Sequence, residues 1–274
     1  MVLIVYVEGE CEHDIQRIYS QLTTWKFTFE TMSYIIEIAT SDFETTRAAV
    51  EGGADRIELC ANLSEGGTTA SYGTIYQCRE VFDVLLYAII RPRGGDFLYT
   101  ENEFEIILHD VKLCKQLGCD GIVIGLLNAD GSIDIKRTAA LIEIAYPMGV
   151  TFHRAFDRCA DPFEALENLI QMGCERILTS GQRSTVVEGM ELISELNKRA
   201  DHRITIMPGS GVRKENIKML ADKTGCTEFH SSLRGKEKSK MQFFHPAFEN
   251  SEDSYLNNAI SSEEVRILKT TLIK

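Results

Sequence analysis

Gly53-Ala54-Asp55-Arg56-Ile57 is the stretch on which the fold turns. The same pattern returns at Gly118-Cys119-Asp120-Gly121-Ile122, at Gly173-Cys174-Glu175-Arg176-Ile177 and at Gly225-Cys226-Thr227-Glu228-Phe229. Each copy opens with a glycine suited to the left-handed cap that ends a helix, followed by a small residue. A strand then opens. The copies lie 65, 55 and 52 residues apart, each spacing covering two strand–helix units.

Working outward, short β-rich runs occupy 34–40, 56–60, 85–91, 121–125, 150–154, 176–180, 204–208 and 228–232. Amphipathic helical stretches fall near 42–52, 73–82, 101–117, 134–147, 162–172, 184–200, 213–223 and 261–272. The four glycine repeats precede strands two, four, six and eight. A fourfold double-unit repeat suits a closed eightfold barrel and is awkward in an open sheet. The expected fold is therefore α/β, a (β/α)8 TIM barrel over residues 34–274, with a doubly wound open sheet as runner-up. Residues 1–33 fall outside the pattern; they carry Trp25 and a charged stretch from Glu8 to Asp14 and read as an N-terminal extension of unknown role.

The chain has 274 residues, 44% of them hydrophobic, and a formal charge of −12 from 29 Lys+Arg and 41 Asp+Glu. The composition is that of a globular protein rather than a disordered one. The acidic balance argues against nucleic acid or an anionic membrane as partner, since both need a positive field. The apolar start, Met1 to Val7, lacks a basic segment and stops at Glu8, so it reads neither as a signal peptide nor as a membrane span. Eight cysteines stand far apart, at 11, 60, 78, 114, 119, 159, 174 and 226, with no C-x-x-C pair. The expectation is a cytoplasmic protein with reduced thiols. Cys119, Cys174 and Cys226 occupy the repeat position of Ala54 and read as small buried residues. Cys78 and Cys114 fall in outer helices and Cys11 in the extension. Only Cys60 and Cys159 fall near the C-terminal ends of strands.

That C-terminal face is where a barrel of this kind carries its chemistry. Alternate strand residues point inward. With Ile57 and Leu59 toward the helices, Glu58 and Cys60 point in. The same phase turns Glu37, Ala39, His153, Glu228 and His230 inward, with Arg91 and Arg93 after strand three and Arg154 at the rim. Barrels normally fill this space with Val, Ile and Leu, and burying ions costs several kcal/mol each unless they are well paired. Glu58, His153, Glu228 and His230 are therefore the candidate proton-moving residues. Taken singly, each has a plainer reading: Glu37 pairing with Arg91 to fill a layer, or a histidine serving as a neutral core residue. Glycine-rich loops follow strands two (Asn62 to Thr69), three (Arg91 to Phe97) and seven (Pro208 to Gly211). Arg91, Arg93, Arg154, Gly209, Ser210 and Gly211 are the candidate anion ligands, because guanidinium forks and exposed backbone N–H groups suit phosphate or carboxylate.

Several stretches together resemble the CutC copper homeostasis family. They are Glu51 to Cys60, Leu63 to Thr69, Ile90 to Phe97, Thr151 to Asp157, Leu178 to Gly181 and Thr227 to His230. The resemblance runs in order from about residue 34 to the C-terminus. It implies a cytoplasmic (β/α)8 protein, a homo-oligomer, linked to copper homeostasis through Cu(I) held by cysteines near the barrel top. Cys60 matches one family cysteine and is the candidate metal ligand. The other, on the first strand, falls at Ala39.

Three functions follow as expectations. One is a Cu(I)-binding protein using Cys60 with a histidine or Cys159. Another is a lyase- or isomerase-like enzyme on a small phosphorylated or carboxylated metabolite. The third is a non-catalytic barrel serving as a binding partner. The expected partner is thus a copper ion or a small-molecule anion.

Overall fold

The computed structural model describes residues 34–243, 245 and 255–273. The extension expected at 1–33 lies outside them, as does Cys11. Eight parallel strands alternate with helices: β1 (Ile35–Thr40), α1 (Phe43–Glu51), β2 (Arg56–Leu59), α2 (Tyr72–Val81), β3 (Leu85–Ile89), α3 (Glu101–Gln116), β4 (Gly121–Ile124) and α4 (Ile135–Ala145). Then follow β5 (Gly149–Phe152), α5 (Pro162–Met172), β6 (Arg176–Thr179), α6 (Met190–Ala200), β7 (Thr205–Pro208), α7 (Ile217–Thr224) and β8 (Glu228–Ser231). A hairpin of β9 (Gly235–Lys238) and β10 (Leu256–Ala259) precedes α8 (Ser262–Ile273).

Neighbouring strands pair in chain order from β1 to β7, and β8 returns to pair with β1. The barrel is nearly closed, with β7 and β8 flanking the seam. Side chains bridge it: Ser231 Oγ donates to Val212 O at 2.8 Å, and Arg213 Nη1 donates to Ser231 Oγ at 3.1 Å. Among the described residues no helix is long and apolar enough to cross a membrane.

The repeat does what its residues suggest. Gly53, Gly118, Gly173 and Gly225 have φ of +88°, +75°, +82° and +69°, the left-handed conformation in which a Cβ is strained. Asp55 then accepts the β1 amide of Ile36 at 2.9 Å, and Asp120 accepts the β3 amide of Leu86 at 2.8 Å. Each acid thus ties the strand it precedes to the strand before. Cys119, Cys174 and Cys226 are buried in the apolar core.

Strand side chains sort into two apolar sets. Ile36, Ile38, Ile57, Leu59, Ile122 and Phe229 join the large core under the helices. Cys60, Tyr87, Ile89 and Val123 form a separate cluster inside the barrel. The inward phase expected for β2 is therefore the observed one. The α6 stretch begins at Met190 rather than 184, because 180–189 forms a loop held by Asp157, which accepts from Thr179 Oγ1 and from the amides of Ser180 and Gln182. The β9–β10 hairpin has no counterpart in the sequence reading. β9 is wholly exposed and polar, so it lacks the apolar alternation that marks a strand.

Candidate functional site

The inner residues stack in layers fed by alternate strands. The lowest even-strand layer is Arg56, Gly121, Arg176 and Glu228. Arg56 donates to Glu37 Oε2 through Nε and to Glu228 Oε2 through Nη2, both at 2.5 Å. Arg176 reaches Glu228 at 3.0 Å and Glu175 at 2.8 Å. The Tyr87 ring lies between the two guanidiniums, 5.2 Å from each, and its hydroxyl donates to Glu175 at 2.9 Å. There is room for that ring because Gly121 and Gly149 have no side chain; a Cβ on either would strike Tyr87.

Above this layer sit Glu37, His230 and Glu58. His230 Nδ1 donates to Glu37 Oε1 at 2.7 Å, and His230 Nε2 stands 3.8 Å from Glu58 Oε2. Burial works against ionising Glu37, but the Arg56 charge and the bonds from His230 and Arg56 bring its pKa down to about 2. A carboxylate so fixed keeps the His230 proton on Nδ1 and turns Nε2 to the cavity. Burial disfavours the imidazolium of His230, yet Glu58 and Glu37 outweigh it and raise the pKa above its ordinary value. Burial, with help from the Glu37 charge, likewise raises Glu58. An imidazole and a carboxyl, each pushed to hold its proton longer, thus face each other.

They open onto a cavity of about 300 Å³ at the C-terminal ends of the strands. Ala39, Ile89 and Leu178 give it an apolar floor. Arg91 and His153 reach it from β3 and β5. Arg154, Arg213, Arg234, Ser210 and Gly211 stand around it. A chain of net charge −12 therefore gathers four further arginines beside two titratable acid–base groups.

Arg91 is 4% exposed and fixed by carbonyls: Nη1 donates to Glu65 O at 2.9 Å and Gly67 O at 2.8 Å, and Nη2 to Gly95 O at 2.9 Å. The glycine loops after strands two and three thus aim this arginine. Ser210 and Gly211 both adopt positive φ, at +74° and +89°. Gly209 lies just beneath, where a Cβ would come 2.5 Å from Leu178. Its role is close packing beside His230, and its amide is committed to Thr179 O.

Of the expected residues, Glu58, His153, His230, Arg91, Arg154, Ser210 and Gly211 come together. Others do not. Glu228 lies one layer too deep and is consumed by Arg56 and Arg176. Arg93 turns outward to Glu103 at 2.5 Å, Asp96 at 3.0 Å and the Tyr99 ring, where it pins the loop. Cys60 points inward but is packed with Ile89 and Val123 behind the cavity wall. Glu37, Arg213 and Arg234 complete the site. Glu37 was legible from the strand phase. Arg213 and Arg234 lie in loops, where no period signals direction.

Residues 34–235 match the CutC family. The chain belongs to that family. A CutC family protein of Chromobacterium violaceum is 48% identical over 246 residues, covering 89% of this chain and all of the relative. One from Parabacteroides distasonis is 49% identical over 240 residues, covering 87% and 96%. A crystal structure from Streptococcus agalactiae, described as a candidate copper homeostasis protein CutC, superposes with a TM-score of 0.69 at 30% identity. It covers 72% of this CutC chain and 97% of that one.

The family's link to copper prompts a test of the donor set. Cu(I) favours thiolates, and a pair of them in particular. Burial and the neighbouring Glu58 charge push the Cys60 thiol well above its ordinary pKa, and its S–H donates to Glu58 Oε2 at 3.4 Å. The β1 position at which the resemblance puts the other cysteine is Ala39, opposite Glu58 in the strand register. Cys159 is pushed up to about 12 by burial and contacts Gln182. Among the described residues no group of three or more His, Cys, Asp or Glu is placed to hold a metal. The Cys60 surroundings of this CutC protein do not fit Cu(I).

Proposed function

We propose that this CutC-family chain is an isomerase- or lyase-type enzyme that moves a proton on a small phosphorylated or carboxylated metabolite. One observation carries the reading: the Glu37–His230–Glu58 array opens onto the same cavity as Arg91, His153 and the Ser210–Gly211 turn. Glu37 holds the imidazole and fixes its tautomer. His230 Nε2 takes or gives the proton, with Glu58 as its exchange partner. Arg213, Arg234 and the Ser210–Gly211 backbone hold the anionic end of the substrate. The apolar floor limits water at the reacting carbon.

Copper handling is the role named for the Streptococcus agalactiae relative. For this chain Cys60 supports it poorly, for the reasons given above. A cytoplasmic setting accords with the seven described cysteines being free thiols.

The test is a thermal-shift screen with sugar phosphates and 2-oxo and 2-hydroxy acids, followed by proton NMR of each binder in D2O. At least one compound should stabilise the wild type and exchange a C–H for deuterium. His230→Asn should bind it without exchange. If nothing binds, or exchange survives in His230→Asn, the enzyme reading fails. Cys60-dependent Cu(I) capture against a strong chelator would restore the copper reading.

A further inference from the structure

A second cleft, of about 640 Å³, lies beside the cavity that His230 faces. Its walls come from Ser41 after β1, from Asn62 and Ser64 in the loop after β2, and from Arg234, Lys236 and Asn258. Leu63 and Arg234 line both spaces, so the two meet at one guanidinium. The match to the CutC family ends at residue 235, so Lys236 on β9 and Asn258 on β10 lie past it.

The hairpin is aimed at this cleft. β9 buries none of its side chains and adds nothing to the core. Strand alternation puts Lys236 on one face and Glu237 on the other. The register sets Lys236 opposite Asn258 and Glu237 opposite Asn257, and directly opposed residues share a face. Lys236 and Asn258 line the cleft; Glu237 and Asn257 do not. The hairpin thus turns its lysine toward the cleft and its acid away.

In a chain of net charge −12, two cations and, among the described residues, no acid line this space. Neither Arg234 nor Lys236 forms an ion pair among the described residues. Two such charges around one cleft make a local positive field that draws an anion. The walls are also held in place. Arg234 Nη1 donates to Leu63 O at 2.9 Å, and Asn258 Nδ2 donates to Ser41 Oγ at 3.3 Å. Asn62 spends Nδ2 on Thr68 Oγ1 at 3.0 Å. What is left for a ligand is an ammonium, the rest of the Arg234 fork, the Ser64 hydroxyl and the Oδ1 acceptors of Asn62 and Asn258. Cations suit a phosphate, and neutral donors and acceptors beside them suit hydroxyl groups.

We infer that this cleft receives a second phosphate of the substrate, which is then a sugar bisphosphate. This rests on the anion-binding reading above and adds a second group to the same molecule. The first phosphate stays with Arg213 and the Ser210–Gly211 turn, the second meets Lys236, and Arg234 stands between them. The sugar hydroxyls beside the second phosphate meet Asn62, Ser64 and Asn258.

Calorimetric titration of the full chain at pH 7 and constant ionic strength tests this with three bisphosphates of increasing span: 2,3-bisphosphoglycerate, ribulose 1,5-bisphosphate and fructose 1,6-bisphosphate. Their partners are 3-phosphoglycerate, ribulose 5-phosphate and fructose 6-phosphate. At least one bisphosphate should bind tenfold or more tightly than its monophosphate. Lys236→Glu should erase that advantage and leave monophosphate affinity within threefold, while Lys236→Arg should keep most of it. In the 15N-labelled wild type, that bisphosphate should shift the Asn258 side-chain amide resonances and its monophosphate should not. Three bisphosphates no tighter than their monophosphates overturn the inference. So does an advantage that survives Lys236→Glu, the result expected if the β9 lysine only keeps an exposed edge strand from pairing with another chain. Should Lys236→Glu not fold, the Asn258 shift decides. Monophosphate binding without a bisphosphate gain removes the second subsite alone. Failure of every probe removes the underlying anion site as well.

Discussion

Replacing Glu37 with glutamine tests the centre of the arrangement. The side chain is fully buried and bonded on both oxygens, to Arg56 at 2.5 Å and to His230 at 2.7 Å. Its pKa is about 2 against an ordinary 4.5. That difference, at about 1.4 kcal/mol per pH unit, makes the ionised form worth about 3 kcal/mol to the folded state at neutral pH. Because the folded value is the lower one, the stabilisation is complete above pH 4.5. It fades as pH falls toward 2 and is absent below both values. Glutamine keeps the shape and one acceptor but not the charge. Glu37→Gln should therefore unfold about 3 kcal/mol more easily at pH 7, or about 6–12 °C lower in Tm for a domain of this size. The gap should narrow steadily as pH falls below 4.5. Urea unfolding followed by circular dichroism, at an unchanged denaturant slope, gives both quantities. A gap below about 1 kcal/mol at pH 7, or one that stays constant from pH 7 to 3, would refute the ionised, doubly bonded Glu37 on which the His230 tautomer depends.

Three further substitutions probe other parts of the barrel. Gly125→Ala should displace the His153 ring and cost about 1–3 kcal/mol by overpacking; an intact Tm would show the ring has somewhere else to go. Cys60→Ala should cost about 1 kcal/mol, while the native thiol stays inert to a disulfide reagent at pH 8; rapid labelling would place the sulfur outside its apolar cluster. Gly52→Ala puts a Cβ 2.6 Å from Ser262 O and from Val265, so it should cost about 1–3 kcal/mol and strip hydrogen-exchange protection from α8; full protection would contradict the close approach of α1 and α8.

The fold was legible because the barrel repeats itself. Four glycines needing positive φ, each two strand–helix units from the next, carry more information than any single strand. Strand alternation also told which side of the sheet Glu37, Glu58, His153 and His230 occupy. It could not tell height. Glu228 and His230 lie on the same face of β8, two residues apart, yet one is held by arginines in the lower layer and the other lines the cavity. Height depends on the stagger between strands, which shows only in the register, where Glu37 stands opposite both Arg56 and His230. Arg56 and Arg176 were within reach. They share one position of the repeat, and Arg56 is two residues before the inward Glu58. An arginine at the first residue of a strand simply reads as surface. Arg93 shows the opposite limit: a side chain in a loop has no period, and its direction was set by Glu103 and Asp96 instead.

The lower ionic layer and the cavity form one structure. Two arginines inside a barrel are tolerable only when carboxylates meet them, and Glu228 alone cannot serve both Arg56 and Arg176. Glu37 supplies the missing acceptor for Arg56, and Glu175 does so for Arg176. Glu37 is also the acceptor for His230, so the charge that satisfies the lower layer is the charge that orients the imidazole above it. If that layer were built only for stability, an apolar filling would serve as well or better, since buried ion pairs often contribute less than hydrocarbon of equal volume. The polar layer has a purpose only if something above it needs a fixed carboxylate. Of the two side chains that bond Glu37, Arg56 and His230, it is His230 that lines the cavity, which makes the charged interior part of the site rather than part of the scaffold.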